Sequence, residues 1–336
     1  MRILISFLGL LLLTACSHEL MSCSSCPSSD EQATVDDGPF VFERPIAEAD
    51  LPPIDIDRSD DDEQIDAEQI DADPVDPDAD LIPSENMMLI EGATFMMGCE
   101  IGVAPNCTQT NSLPQHEVTV SGFEIDVYEI TKKEYEACIA AGGCENDIDN
   151  DLLLYQTNTD LPFCVLNSAY DDLYPVNCVS WYGARAYCAW AGKRLPSEAE
   201  WELAARGTDG RYYPWGNTPA PSCDNTVMYG ENDWGCDQGL SLPVGSKAEG
   251  ASPYGLYDMA GNMWEWVEDD WHDSYDDPSR PDDGSAWVDA ERSENRVIRG
   301  ASFMTAADES YEFLTYGHFG SPAGDPFISR GFRCAR

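Results

Sequence analysis

Ala189-Trp190-Ala191-Gly192-Lys193-Arg194-Leu195-Pro196-Ser197-Glu198-Ala199-Glu200-Trp201-Glu202 holds the end of one helix and the start of another. Gly192 is placed to close a helix running from Trp181 to Ala191, which Ser180 can cap and in which Ala184, Tyr187, Cys188 and Ala191 fall at helical spacing. Ser197-Glu198-Ala199-Glu200 is a capping box, predicting a second helix that buries Trp201 and Ala204 and stops at Gly207. Upstream, Thr131-Lys132-Lys133-Glu134 repeats the device, with Tyr135, Cys138 and Ile139 on one face and Gly142 at the end. Short strands are expected at Met87 to Ile90, Phe95 to Gly98, His116 to Val120, Glu124 to Tyr128 and Arg296 to Arg299. The remainder is rich in Gly, Pro, Asn and Trp and follows neither period. An α+β domain with little regular structure results, in which something other than hydrogen-bonded ladders must hold long loops.

Cysteines supply that restraint. Beyond Cys16, Cys23 and Cys26 there are ten, an even number, and disulfides are the expected use in a chain routed out of the cytoplasm. Spacing suggests Cys99 with Cys107, Cys138 with Cys144, Cys164 with Cys178 and Cys223 with Cys236, leaving Cys188 and Cys334, although spacing alone does not fix connectivity. A structural zinc centre is the weaker reading: no CxxC pair is followed by a second at finger spacing, and only His116, His272 and His318 lie in this region.

Routing is read from the N-terminus. Met1-Arg2, the apolar run Ile3 to Leu13 and the small-residue site before Cys16 form a secretory leader over residues 1–15, too short to span a bilayer. Leu13-Thr14-Ala15-Cys16 resembles the lipobox of bacterial lipoproteins, which implies acylation of Cys16 and a membrane partner through that anchor. Ser17, where retention would place Asp, favours the outer membrane or cell surface over other parts of the bacterial envelope. Residues 16–85 read as a disordered acidic tether, with fourteen acidic residues against Arg58 alone between Asp50 and Asp80. As a coil it would reach on the order of 45 Å. The folded domain is then 86–336. A formal net charge of -45 argues against nucleic acid as a partner.

Six stretches in order carry a family resemblance. Residues 189–202 resemble AGKRLPTEAEWE, Tyr213-Pro214-Trp215-Gly216-Asn217 the PWGN element, and Gly255 to Trp266 the GLYDMAGNVWEW element. Arg299-Gly300-Ala301-Ser302-Phe303 with Gly331-Phe332-Arg333-Cys334 resembles the RGGS…GFR(C/A) ending. Upstream, Phe95 to Gly98 and Asp126 to Thr131 match FxMG and D-x-Y-E-V-T. On these the chain resembles the formylglycine-generating (sulfatase-modifying factor) family. The resemblance implies an irregular fold related to C-type lectins, a Cys188 to Cys334 bridge, and calcium held in loops. One site would use carboxylates of Asp258 and Glu265 with carbonyls of Gly261 and Met263; the other would use Asn225, the Thr226 carbonyl and Asp237.

The resemblance fails at its chemistry. Active members hold copper(I) on two cysteines, and the matching positions here are Thr305 and Ser310, with no cysteine between Cys236 and Cys334. Hydroxyls do not replace soft thiolates, so neither copper nor formylglycine generation is expected. Glu312 and His318 stand in a tract that is arginine-rich in the enzymes, so the groove is expected to differ; Ser302 and His318 are its candidate ligand residues. A non-catalytic module for a protein, peptide or glycan ligand is expected. The alternatives are a family enzyme with oxidase or other metal-dependent chemistry, for which the three dispersed histidines form no facial triad, or an accessory to a true formylglycine-generating enzyme.

Overall fold

The computed structural model describes residues 86–144, 163–167 and 170–336, all within one unit, Ala72–Arg336. Cys16, Cys23, Cys26, the leader and the tether lie outside the described residues. Regular structure is short: β1 (Met87–Ile90), β2 (Ala93–Met97), β3 (His116–Val120), β4 (Phe123–Asp126), α1 (Lys132–Ala140), α2 (Trp181–Trp190), α3 (Glu198–Arg206), β5 (Trp264–Asp270), β6 (Asn295–Arg299), β7 (Phe319–Pro322) and β8 (Arg330–Phe332). β1 pairs with β4 and β2 with β3, both antiparallel. The largest sheet has the order β7-β6-β5-β8, with β8 parallel to β5 and the other pairings antiparallel.

All three capping signals do what the sequence predicts. The Thr131 and Ser197 side chains accept from the amides of Glu134 and Glu200, whose carboxylates accept in return, and Ser180 accepts from Gly183. Each such cap is worth about 1 kcal/mol. β5, β7 and β8 are strands that the sequence pattern did not indicate. β5 is central in its sheet and buried on both faces, and its burial does not alternate.

All five expected cysteine pairs are bonded, and Cys188–Cys334 fastens α2 to the chain just past β8. Around that bridge Tyr135, Tyr187 and Phe332 pack ring against ring. A second core lies where Trp201, Leu203 and Ala204 of α3 meet Phe95, Val118 and Ile125 of the two small sheets.

α3 is buried on its charged side too. Arg299, at the end of β6, donates to Glu198 at 2.7 Å, to Glu202 at 2.8 Å and to the Thr315 carbonyl at 2.6 Å. Arg206 closes the set on Glu202 at 2.7 Å. These pairs lock the β6 exit, from which the candidate site begins.

Candidate functional site

Beyond Arg299 the chain turns at Gly300 (φ 94) and Ala301 (φ 66). A Cβ on Gly300 would lie 3.1 Å from the Trp201 ring, so that position is held close to α3. Residues 302–305 then thread between two loops: the Phe303 amide donates to the Asn262 carbonyl, Gly235 to Phe303 and Tyr229 to Thr305. Gly261 donates to the Gly300 carbonyl. The Gly255–Trp266 turn and the segment carrying Thr305 are therefore one piece of structure.

Thr305 is buried. Its Oγ1 accepts from the Ser302 amide at 3.2 Å and donates to Glu312 at 2.9 Å. Burial pushes the Glu312 carboxyl up to about 7, with Glu309 adding to the rise and the Thr305 hydroxyl opposing it. No cation among the described residues forms an ion pair with Glu312. Ser310 ends the 3-10 turn Ala307–Glu309 and makes no side-chain hydrogen bond among the described residues. Every cysteine among the described residues is in a disulfide, leaving no thiolate there for a soft metal.

Ser302 is buried in the turn, its hydroxyl accepting from the Met304 amide at 3.3 Å. His318 is buried away from this segment. Its Nδ1 lies 2.5 Å from Glu198, its Nε2 2.6 Å from the His272 carbonyl, and the Tyr275 hydroxyl 3.4 Å from Nδ1. Nδ1 thus serves the Arg299–Glu198 network, while Nε2 ties the ring to the His272 backbone. Burial pushes the Glu198 carboxyl upward, but His318 and Arg299 together outweigh it and hold the group at about 2.

The 258–265 turn is lined by oxygen and carries more carboxylates than cations. Asp258 (φ 59) is buried and accepts from the Gly245 amide at 2.6 Å. Burial lifts its carboxyl to about 6 despite that amide and Arg333. Glu265 is gripped by Arg333 at 2.7 and 2.8 Å and by the Trp201 indole at 2.8 Å. A third carboxylate, Glu129, was not among the predicted site residues. It accepts from Asn262 at 2.6 Å and from the Met263 amide at 2.9 Å. Burial raises it well above the usual range, and Asp258 and Glu265 add to the rise. Gly261 admits no side chain, since a Cβ would lie 2.0 Å from Thr226 Oγ1 and 2.4 Å from the Val227 carbonyl. Thr226 is thereby placed against this turn, its hydroxyl donating to the Ala260 carbonyl. Asn225 and Asp237 are engaged elsewhere: the Asn225 amide oxygen accepts from Ser222, and the exposed Asp237 carboxylate accepts from the amides of Glu231, Asn232 and Asp233.

The family model for a Sulfatase-modifying factor enzyme 1-like domain matches residues 73–336. The chain belongs to this family. It is 31% identical over 296 residues to the formylglycine-generating enzyme of Thermomonospora curvata, covering 75% of this chain and 93% of that one. Identity is also 31% over 295 residues to a Bos taurus protein described as an inactive C-alpha-formylglycine-generating enzyme 2, covering 74% and 87%. Among solved structures, PvdO from Pseudomonas aeruginosa superposes with a TM-score of 0.59 at 28% identity, over 74% of this chain and 93% of that one.

Within a sulfatase-modifying-factor scaffold, Glu129 had a visible signal: it stands inside the matched Asp126–Thr131 stretch, read there only as the lead-in to α1. Glu312 had a weaker one, its departure from an arginine-rich tract.

Proposed function

We propose that this chain is a lipid-anchored protein of the bacterial envelope, held by Cys16 on an acidic tether, whose sulfatase-modifying-factor domain binds a ligand without copper-dependent formylglycine chemistry. One observation carries the reading: Thr305 donates to Glu312 where the enzymes place a copper thiolate. Oxygen donors at a partly buried carboxylate do not suit copper(I), and the domain's ten cysteines are spent in disulfides. The relative described as inactive is consistent with a family scaffold that outlives its oxidase chemistry. The ligand class is a protein, peptide or glycan reached from the outer membrane or cell surface.

Calcium at the 258–265 turn is proposed on charge alone, since no group of three or more Asp, Glu, His or Cys side chains among the described residues is arranged to hold a metal. Three carboxylates, Glu129, Asp258 and Glu265, are buried beside the guanidinium of Arg333, with Lys247 also acting on Asp258, so carboxylates outnumber cations in the corner. Asp258, with the carbonyls of Gly261 and Met263, would hold the ion, and Glu129 would stand behind it. Glu265, expected as a ligand, has both oxygens on Arg333 and the Trp201 indole and is left out of the ion's set. Bound calcium would tie the turn together; it supplies no redox step.

The test uses the full chain. It is titrated with copper(I) and iron(II) and then incubated with a cysteine-containing sulfatase peptide that is assayed for aldehyde. No aldehyde and no tight copper(I) binding are expected; aldehyde formation together with tight copper(I) binding would sink the reading. In the same preparation, millimolar calcium raises the melting temperature of the wild type and not of Asp258→Asn. An unchanged wild-type melt would remove calcium from the proposal.

A further inference from the structure

Tyr182, Arg185, Ala186 and Ala189 follow one another at helical spacing on the face of α2 that is left in water, Tyr182 being 59% exposed. With Lys193 and Leu195 they wall a cavity of about 570 Å³, within the range of small-molecule sites. The walls are a phenol ring, two methyl groups and a leucine. The charged groups are Arg185, Lys193 and Arg194 against a single carboxylate, Glu268. In a chain of 18 Lys+Arg against 63 Asp+Glu, that excess of cations runs against the composition.

Two of the cations are already engaged. Lys193 donates to Asp126 at 2.6 Å, and Arg194 grips Glu200 through both terminal nitrogens at 2.6 and 2.7 Å. Arg185 is engaged more weakly: its Nε pairs with Glu268 at 3.5 Å, a carboxylate that Arg292 holds more closely at 3.1 Å. The terminal nitrogens of Arg185 donate to no described residue. Behind it, the guanidiniums of Arg292 and Arg296 lie 4.9 and 4.6 Å from the same Trp181 ring that Arg185 covers at 5.4 Å. Asp126, Glu200, Glu268 and Asp270 pair with these cations, so the wall and its backing are close to neutral on a chain whose net charge repels anions, and only one rim cation lacks a strong partner. One guanidinium whose terminal nitrogens face water beside apolar walls offers a single fork, which matches a monocarboxylate.

We propose that this cavity binds a small monocarboxylate with an aromatic or branched aliphatic body. The carboxylate sits on the terminal nitrogens of Arg185 and the body lies over Ala186 and Ala189 against the Tyr182 ring. The site is separate from the Thr305–Glu312 segment, and its ligand is independent of the function proposed there. The test is calorimetric titration of the full chain with 4-phenylbutanoate and with its neutral amide. Saturable 1:1 binding of the acid is expected, with the amide weaker by about tenfold, the usual scale for one charge-assisted hydrogen bond. Arg185→Gln should weaken the acid by a similar factor, Glu268→Gln should tighten it by removing the competing carboxylate, and Ala186→Trp should abolish it by filling the cavity. Equal binding of acid and amide would overturn the proposal. So would undiminished binding to Arg185→Gln, or no saturable binding of the acid at millimolar concentration. Circular dichroism checks each variant; if Ala186→Trp does not fold, Arg185→Gln, at an exposed position, decides.

Discussion

Glu312→Gln should stabilise this protein, and increasingly so as the pH rises. In the folded chain the carboxyl is held at about 7 by burial, against an ordinary 4.5. The folded state therefore keeps a proton that the unfolded state has released between those values, and stability is lost as pH rises through that window. A displacement of about 2.5 pH units corresponds to about 3.4 kcal/mol at most. Part of the carboxylate faces water, which reduces the effect to about 1–2 kcal/mol. Glutamine keeps an oxygen for the Thr305 hydroxyl and carries no charge. Urea unfolding of wild type and variant from pH 4.5 to 8 isolates the effect, because every other titrating group cancels in the difference. The gap should widen in the variant's favour by about 1–2 kcal/mol across that range. Thr305→Val, which removes the donor holding the carboxylate ionised, should push the wild-type loss to higher pH. A gap that stays flat or narrows as pH rises would refute the assignment of Glu312 as a buried carboxylate without a counter-ion.

Glu198→Gln should act in the opposite sense. It leaves Arg299 and His318 without their shared carboxylate and should cost about 3–5 kcal/mol in urea unfolding at neutral pH. Because the Glu198 carboxyl sits at about 2 in the fold against an ordinary 4.5, its contribution is complete above 4.5 and lost as pH falls towards 2. That acid-labile part is about 3 kcal/mol in the wild type, and the variant should lack it. Replacing Cys188 and Cys334 together by Ser opens a loop of 146 residues, for which the chain-entropy argument gives a loss of about 5 kcal/mol, read as a lowered urea midpoint.

What could be read from sequence follows from the range of the interactions. The starts of α1, α2 and α3 are set by Thr131, Ser180 and Ser197, each bonding an amide three residues away, so local pattern suffices. β5 escaped because Glu265, Asp269 and Asp270 occupy buried positions in it, and a strand with acids inside does not look like a core strand. Their partners are remote: Arg333 for Glu265, the Trp287 and Glu198 amides for Asp269, Arg292 and Arg296 for Asp270. The candidate site was legible to the same extent. Thr305 and Ser310 could be placed by counting from Arg299, whereas the hydrogen bond to Glu312 depends on the 3-10 turn between them. Glu129 reaches Asn262 across 133 residues of sequence, and its role could not be read from its neighbours.

The matched motifs acquire a common physical sense once those contacts are known. Glu198 and Glu202 belong to one motif and Arg299 to another, yet they form one buried ion-pair network. Asp258 and Glu265 belong to a third, Glu129 to a fourth and Arg333 to the last; they form a second network. Removing one member of a buried network strands its partners at a cost of several kcal/mol, so such residues must be retained together or lost together. Thr305 and Glu312 belong to neither network, and exchanging them leaves both intact. The scaffold can therefore keep every motif by which it is known while the residues at 305 and 310 change, which is why family membership here specifies the fold and leaves the chemistry to be read from Thr305, Ser310 and Glu312.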